Sequence, residues 1–584
     1  MLQEVIFPWI KRRYLKLLSE FKNRPFTFEE VFNLLQKEFE DDENQTKIIL
    51  SELKRGGYLQ VYRNPQNKRE KIYKLKSLAE KINHINTKDD LINLLKQAAD
   101  LIRTRVDYTF ILLLLFYKAY SDKWEKEFEE EKKKLIEIGW EEAEAVKEAA
   151  SEYYHTFNFP QEYLWENIRR DPQRISEKFS IAMKRLAELN PDYHDIFTQF
   201  DFHQFTSNPE NAIILNQLVE LFSKFSFKEI PGDILGDAYE WILKYFAPTK
   251  AKEGEVYTPR EVIKLMVEIL DPKPEKWIYD PALGSGGMLI ISYKFVEEKY
   301  GKEKANTLFL YGQEANSKTL ALAKMNMLLH DIKNFYFALG DTLLFPKFKE
   351  GNSIKQFDYV IANPPWNQDG YDEDTLKKGE YWRERFKYGF TTKQSADWAW
   401  IQHMLASAKE KVAVVIDTGA VSRGGREKLI RQRIVEEDLI EAAILLPEKL
   451  FYNTGAPAVI IVFNKHKPEE RKGKILLINA SKEFEPGKKQ NTLSEENIQK
   501  IVETYKEFKD IEKFAKVITI EDAREADYNL SPSRFVSIAE EEEYRSIEEI
   551  EKELDELEDL HIKLKGKIKN ILQALKLKQC YYND

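Results

Sequence analysis

The chain has 584 residues and a formal net charge of −9, too long for one core, so several domains are expected, one of them large enough for a full α/β sheet. That charge argues against nonspecific nucleic-acid binding by the chain as a whole, although a phosphate backbone meets local patches rather than the average. The single cysteine, Cys580, excludes an internal disulfide and a cysteine-based zinc site, and no metal is expected. The apolar run at 111–116 is far too short to span a bilayer, and no signal-peptide pattern leads the chain. A cytoplasmic protein without membrane association is expected.

Residues 1–80 read as a winged-helix-like segment, with helices at 28–39 and 45–55, the second stopped by Gly56-Gly57. Strands at 58–62 and 71–75 are joined through Asn64-Pro65-Gln66-Asn67 as a hairpin wing. With 16 Lys and Arg against 12 Asp and Glu, the segment carries +4, opposite in sign to the whole. Two readings stand: DNA contact by the second helix and wing, or a docking or dimerisation winged helix. Residues 81–235 are expected to form a helical domain, in which 106–122 reads as a buried helix.

Between 236 and 480, β-rich runs alternate with helical ones, the pattern of a doubly wound parallel sheet. Seven strands are expected, at 277–279, 308–312, 335–339, 358–362, 412–416, 442–446 and 458–463. A polar connecting region at 481–537 is expected to follow, then a helix over 538–584. In that helix Ile547, Ile550, Leu554, Leu557, Leu564, Ile568, Ile571 and Leu575 alternate at three and four residues, with His561 in the missing place. This is a heptad seam, or else the apolar face of a helix packed on its own domain.

Two motifs carry the chemistry. The fourth strand closes on Asn363-Pro364-Pro365-Trp366, which puts an amide side chain and proline-fixed backbone carbonyls where they can accept hydrogen bonds from a planar amino group. The first strand ends in Asp280-Pro281-Ala282-Leu283-Gly284-Ser285-Gly286-Gly287, whose glycines let backbone approach a cofactor closely. Together they imply methyl transfer to an amino nitrogen, a reaction that needs alignment more than acid or base chemistry. Glu314 and Asp341 end the next two strands, and such carboxylates suit the hydroxyls and base of an adenosine cofactor; capping of the following helices is the other reading. Trp366 can stack on a base flipped from a duplex, with Phe390 over its opposite face or in a core.

With these residues in place the sequence resembles, from about residue 80 to 580, the methylation subunit of type I restriction-modification systems, adenine-N6 DNA methyltransferases. Gly254-Glu255-Val256-Tyr257-Thr258-Pro259-Arg260 is similar to the family's segment lining the methionine end of the cofactor. Later landmarks are 396–405, Arg423-Gly424-Gly425-Arg426-Glu427 and 446–455, and the helical stretch 106–130 resembles a DNA-clamping or partner-facing module. The resemblance implies S-adenosyl-L-methionine as cofactor, bound by Tyr257, Thr258 and Pro259 together with the glycine loop, Glu314 and Asp341. It also implies catalysis by Asn363, Pro364, Pro365 and Trp366 on double-stranded DNA. A specificity subunit would join the C-terminal helix, and a nuclease or translocase subunit is a further partner such complexes admit. The winged-helix-like segment is not a standard part of this family, which keeps open a standalone adenine methyltransferase using its own winged helix. A protein or RNA methyltransferase and a non-catalytic scaffold are the remaining alternatives.

Overall fold

Nine strands form one mixed sheet, ordered Ala515–Thr519, Lys474–Asn479, Ile440–Leu445, Ala458–Asn464, Ala408–Asp417, Phe357–Ala362, Trp277–Asp280, Phe309–Glu314 and Phe335–Leu339. The last five in that order are mutually parallel. From Trp277–Asp280 the chain steps outward through Phe309–Glu314 to Phe335–Leu339, then returns to pair Phe357–Ala362 on the opposite side of Trp277–Asp280. That reversal opens a crevice at the carboxyl ends of the two central strands, where open α/β sheets bind ligands. The structure is a computed structural model and describes residues 8–21, 24–55, 59–63, 71–75, 83–84, 88–102, 107–251, 257–452, 454–488, 490–537 and 547–574. Outside them lie the Gly56-Gly57 stop, the Asn64–Asn67 turn, Val106, Gly254 to Val256, Asn453, the start of the C-terminal segment at 538–546, Leu575 and Cys580.

All seven expected strands are present, but the sheet has nine strands rather than seven, and two further expectations need correction. The sheet is not wholly parallel, because Ala458–Asn464 inserts between Ala408–Asp417 and Ile440–Leu445 and runs antiparallel to both. Nor is 481–537 a mere polar connector. It supplies the antiparallel edge strand Ala515–Thr519 and a helix, Glu495–Glu507, that buries Ile498, Ile501, Val502 and Tyr505 against the sheet. The other unexpected strand, Lys474–Asn479, lies between Ile440–Leu445 and Ala515–Thr519, parallel to the first and antiparallel to the second. These elements carry their apolar residues at helical or strand spacing among many Lys and Glu, so average polarity conceals the period.

The helical region packs on the sheet rather than standing apart. Helix Thr109–Glu137 is buried from Thr109 through Asp122, and the buried Lys118 ammonium lies 2.7 Å from Asp122, which also accepts Phe227 N–H at 2.7 Å. Its core runs on into helix Ser317–Leu329 of the sheet layer, where Tyr120 and Tyr239 hydroxyls donate to the Leu328 and Leu322 carbonyls at 2.9 and 2.8 Å. The boundary expected at 235 falls inside one helix, Gly232–Ala251, whose Ala238, Tyr239, Ile242 and Leu243 belong to that helical core.

The leading segment has helices Pro8–Phe21, Phe28–Phe39 and Glu43–Arg55 with an antiparallel sheet of Phe26–Thr27, Lys71–Leu75 and Leu59–Arg63. A capping box between Thr27 and Glu30 starts the second helix, and the segment closes a small core of its own around Tyr14, Leu35 and Leu53. At the other end, helix Ile547–Ala574 leaves Ile550, Leu554, Leu557, Leu564, Ile568 and Ile571 exposed. Among the described residues no helix is long and apolar enough to cross a membrane.

Candidate active site

The glycine loop and the Asn-Pro-Pro-Trp segment leave the ends of neighbouring strands at the reversal point. After Asp280 the loop turns through Gly284 and Gly286, with φ of +53° and +83°, into helix Gly287–Tyr300. A side chain would strain both positions, and the helix start presents free N–H groups. Gly312, within the next strand, is required for a different reason: a Cβ there would meet Leu283 at 2.6 Å. The loop is braced from behind, since Thr342 Oγ1 donates to the Pro281 carbonyl at 2.7 Å and buried Arg385 donates to the carbonyls of Thr342 and Leu343.

The cleft has two compartments that share Tyr257, Ala282, Gly284, Ser285 and Asn363. One adds Thr258, Asp280, Gly287, Glu240 and Arg260 to its walls; the other adds Glu314 and Pro365. Asp280 is fully buried, and loss of solvation pushes its carboxyl up to about 8, with the nearby Glu314 charge adding to the rise. Ala282 N–H donates to its Oδ1 at 3.0 Å. Glu314 accepts Gly284 N–H at 3.0 Å on one oxygen and Asn316 N–H at 2.9 Å on the other, which fixes the loop.

Asn363 is held at both ends of its amide. Its Nδ2 donates to Thr258 Oγ1 at 2.8 Å, and its Oδ1 accepts the Trp366 indole N–H at 2.8 Å. Trp366 packs edge-on against Phe451, with centroids 4.8 Å apart. Just beyond, Asn367 adopts a left-handed φ of +51°. That strained turn is clamped by Asp397, which accepts Asn367 N–H at 2.8 Å, and by Arg423, which donates to Asn367 Oδ1 at 2.7 Å. Arg423 and Asp397 also pair directly. The later landmarks in the sequence thus brace the segment carrying Asn363.

The structure does not bring every expected residue into the cleft. Asp341 lines neither compartment, and its oxygens accept Leu344 N–H at 3.1 Å and the Tyr371 hydroxyl at 2.8 Å. Phe390 sits against a separate small core with Phe386 and Trp382. Trp366, Pro259, Pro281, Pro364 and Gly286 support the walls without lining either compartment. Conversely, the wall residue Glu240 and its partner Asn326 went unremarked in the sequence. Both are buried, and the detectable signal is a polar residue inside an apolar helical run, Ala238-Tyr239-Glu240-Trp241-Ile242 and Met325-Asn326-Met327-Leu328.

Comparison with known proteins fits this geometry. The N-6 DNA Methylase family matches residues 231–544, more than half of the chain, including the glycine loop, Glu240 and Asn363 of the cleft, and the HsdM N-terminal domain family matches 91–222. The chain belongs to the N-6 DNA methylases. Two methylase subunits of type I restriction enzymes from Methanocaldococcus jannaschii, MjaVIII and MjaVII, are each 44% identical to it, over 97% of this chain and 98% of theirs. That coverage leaves too little out to omit an eighty-residue segment, so the winged-helix-like part is largely shared with both. The type I restriction-modification methyltransferase subunit from Streptococcus thermophilus superposes with a TM-score of 0.68 at 27% identity, over 77% of this chain and 99% of that one. This N-6 DNA methylase is accordingly an enzyme of the type I methylase-subunit kind, and the scaffold alternative falls away.

Proposed function

We propose that this methylase transfers a methyl group from S-adenosyl-L-methionine to N6 of an adenine flipped out of double-stranded DNA, and does so site-specifically as the methylation subunit of a type I restriction-modification complex. The observation that carries the reading is the common cleft, in which Asn363 forms a wall of both compartments beside the glycine loop. The walls suit this cofactor: Asp280, Glu314 and Glu240 are acidic around a ligand with a sulfonium, an ammonium and ribose hydroxyls, and Gly284 has no Cβ to obstruct it. When bound, the cofactor supplies a methyl group already activated for transfer.

The chain's part is alignment. Asn363 and the Pro364 carbonyl accept the two N–H groups of the adenine amine, favouring rehybridisation of a nitrogen whose lone pair is delocalised into the ring. Thr258 and Trp366 fix the Asn363 amide plane, so the acceptor is preorganised. Trp366 presents an aromatic face toward the base, with Phe390 as the more distant candidate for the other side. Tyr257, Thr258, Pro259 and the glycine loop receive the methionine half, and Glu314 the ribose; Asp341 acts through the turn it caps.

The exposed apolar stripe of Ile547–Ala574 supports attachment of a specificity subunit, and the helical module at 91–222 faces DNA or a partner. A standalone adenine methyltransferase remains the second reading, favoured by the separately cored, locally basic winged-helix segment. Methylation of duplex DNA by the purified chain, with and without a co-expressed specificity subunit and read as N6-methyladenine by mass spectrometry, tests both. Product only with the subunit supports the first reading, product from the chain alone supports the second, and no N6-methyladenine in either sample refutes both.

A further inference from the structure

We infer that Glu240 is the receptor for the α-ammonium group of the cofactor's amino-acid half. The inference rests on the cofactor reading of the cleft and adds to it a residue contributed by the helical layer rather than by the sheet. Glu240 is 4% exposed on helix Gly232–Ala251 and lines the compartment that also holds Thr258, Asp280 and the glycine loop. Burying a carboxylate on a helix that could carry an apolar residue there is costly unless the charge is answered.

The partners in the protein answer it incompletely. Asn326 Nδ2 donates to Glu240 Oε1 at 2.6 Å and also to the Ser285 carbonyl at 2.9 Å, which ties the carboxylate to the glycine loop. Among the described residues the other oxygen, Oε2, has only long neighbours: the Tyr257 hydroxyl at 3.4 Å and Arg260 Nε at 3.5 Å. A second imbalance lies beside it. Asn326 Oδ1 and Arg260 Nη2 are buried and have no hydrogen-bond partner among the described residues. An orphaned acceptor and an orphaned donor each carry a desolvation cost that native structures rarely keep without a purpose.

An α-amino acid zwitterion matches this set. Its ammonium brings three donors and a positive charge to Glu240 Oε2, and its carboxylate accepts from the Arg260 guanidinium that already forms part of the same wall. Ser285, bound to Asn326, lies in the loop that approaches the cofactor, so occupation of Glu240 also sets the loop.

Titration calorimetry on the full-length protein tests this with S-adenosylhomocysteine and with its deamino analogue, in which hydrogen replaces the α-ammonium. The wild type is expected to bind the analogue about ten- to hundredfold more weakly, the size of one charge-assisted hydrogen bond. Glu240→Gln is expected to bring S-adenosylhomocysteine to that same weak level while leaving the analogue's affinity unchanged. Equal affinity of the wild type for the two compounds overturns the assignment and needs no variant. Equal weakening of both compounds in Glu240→Gln also overturns it, because Glu240 then shapes the cleft without meeting the ammonium. A wild type that binds neither S-adenosylhomocysteine nor S-adenosylmethionine fails earlier, at the cofactor reading itself.

Discussion

Asn363 Nδ2 donates to Thr258 Oγ1 at 2.8 Å, so the residue assigned to the target base is tied to the segment assigned to the cofactor. Coupling of this kind makes cofactor occupancy and base alignment parts of one arrangement. It also fixes which way the amide points: with Nδ2 spent on Thr258, Oδ1 is the atom left to accept, and the Trp366 indole holds it in plane.

Replacing Asn363 with Ala is expected to lower the single-turnover methylation rate by at least about a hundredfold, the usual cost of removing one preorganised polar group from a reacting centre. Affinity for S-adenosylhomocysteine should change little. Thr258→Val, which keeps the shape and removes the acceptor, should show a smaller rate loss in the same direction. Near-normal turnover in Asn363→Ala would show that another group receives the amine.

Asp280 gives a pH signature. Burial raises its carboxyl to about 8, above the unfolded value of 3.8, so the folded protein holds a proton that the unfolded chain releases. The sign follows: this contribution to stability is full below the unfolded value and is lost as pH rises through about 8. Asp280→Asn should therefore flatten the fall of Tm between about pH 5 and 8. A cationic ligand beside Asp280 should also expel the proton, so calorimetry near pH 7 in buffers of different ionisation enthalpy should register proton release on binding S-adenosylmethionine. Identical Tm profiles and no buffer dependence would mean that Asp280 is already ionised.

The leading segment provides a third test. Deleting residues 1–80 should leave cofactor affinity unchanged, because that segment closes its own core, while weakening DNA binding and reducing its dependence on salt, as loss of phosphate contacts does. An unchanged affinity and salt slope would make the segment a docking element.

Much of this arrangement was legible in the sequence because strand ends and chemistry coincide. The apolar run 357–362 stops at Asn363, and the run ending at Asp280 stops at the glycine loop, so both motifs fall at strand tips. What the one-dimensional pattern hides is which strands are neighbours. Ala458–Asn464 reads as an ordinary buried strand, and only its pairing on both sides reveals that it runs antiparallel. Asp341 looks equivalent to Glu314 for the same reason: each ends a strand, but Glu314 bonds the loop at Gly284 whereas Asp341 is turned toward Tyr371. Glu240 lay beyond reach because the helix that carries it straddles the expected boundary at 235, and a lone charge in an apolar helix announces burial without saying what it faces.

The C-terminal helix gives the last prediction. Over Ile547–Ala574, Leu554 and Leu557 are 54% and 57% exposed, and neither belongs to any core cluster among the described residues. An apolar seam left open over several turns wants a partner helix. Because the seam is exposed in the subunit itself, carboxylates there cost nothing until a partner covers them, and then they cost several kcal/mol on the order of a buried unpaired charge. Leu554→Asp with Leu557→Asp should therefore leave Tm and cofactor affinity of the isolated subunit unchanged while abolishing co-purification with a specificity subunit and, with it, site-specific methylation. A fall in Tm of the isolated double mutant would indicate instead that the stripe packs within its own chain. An intact complex with full activity would show that the specificity subunit attaches elsewhere.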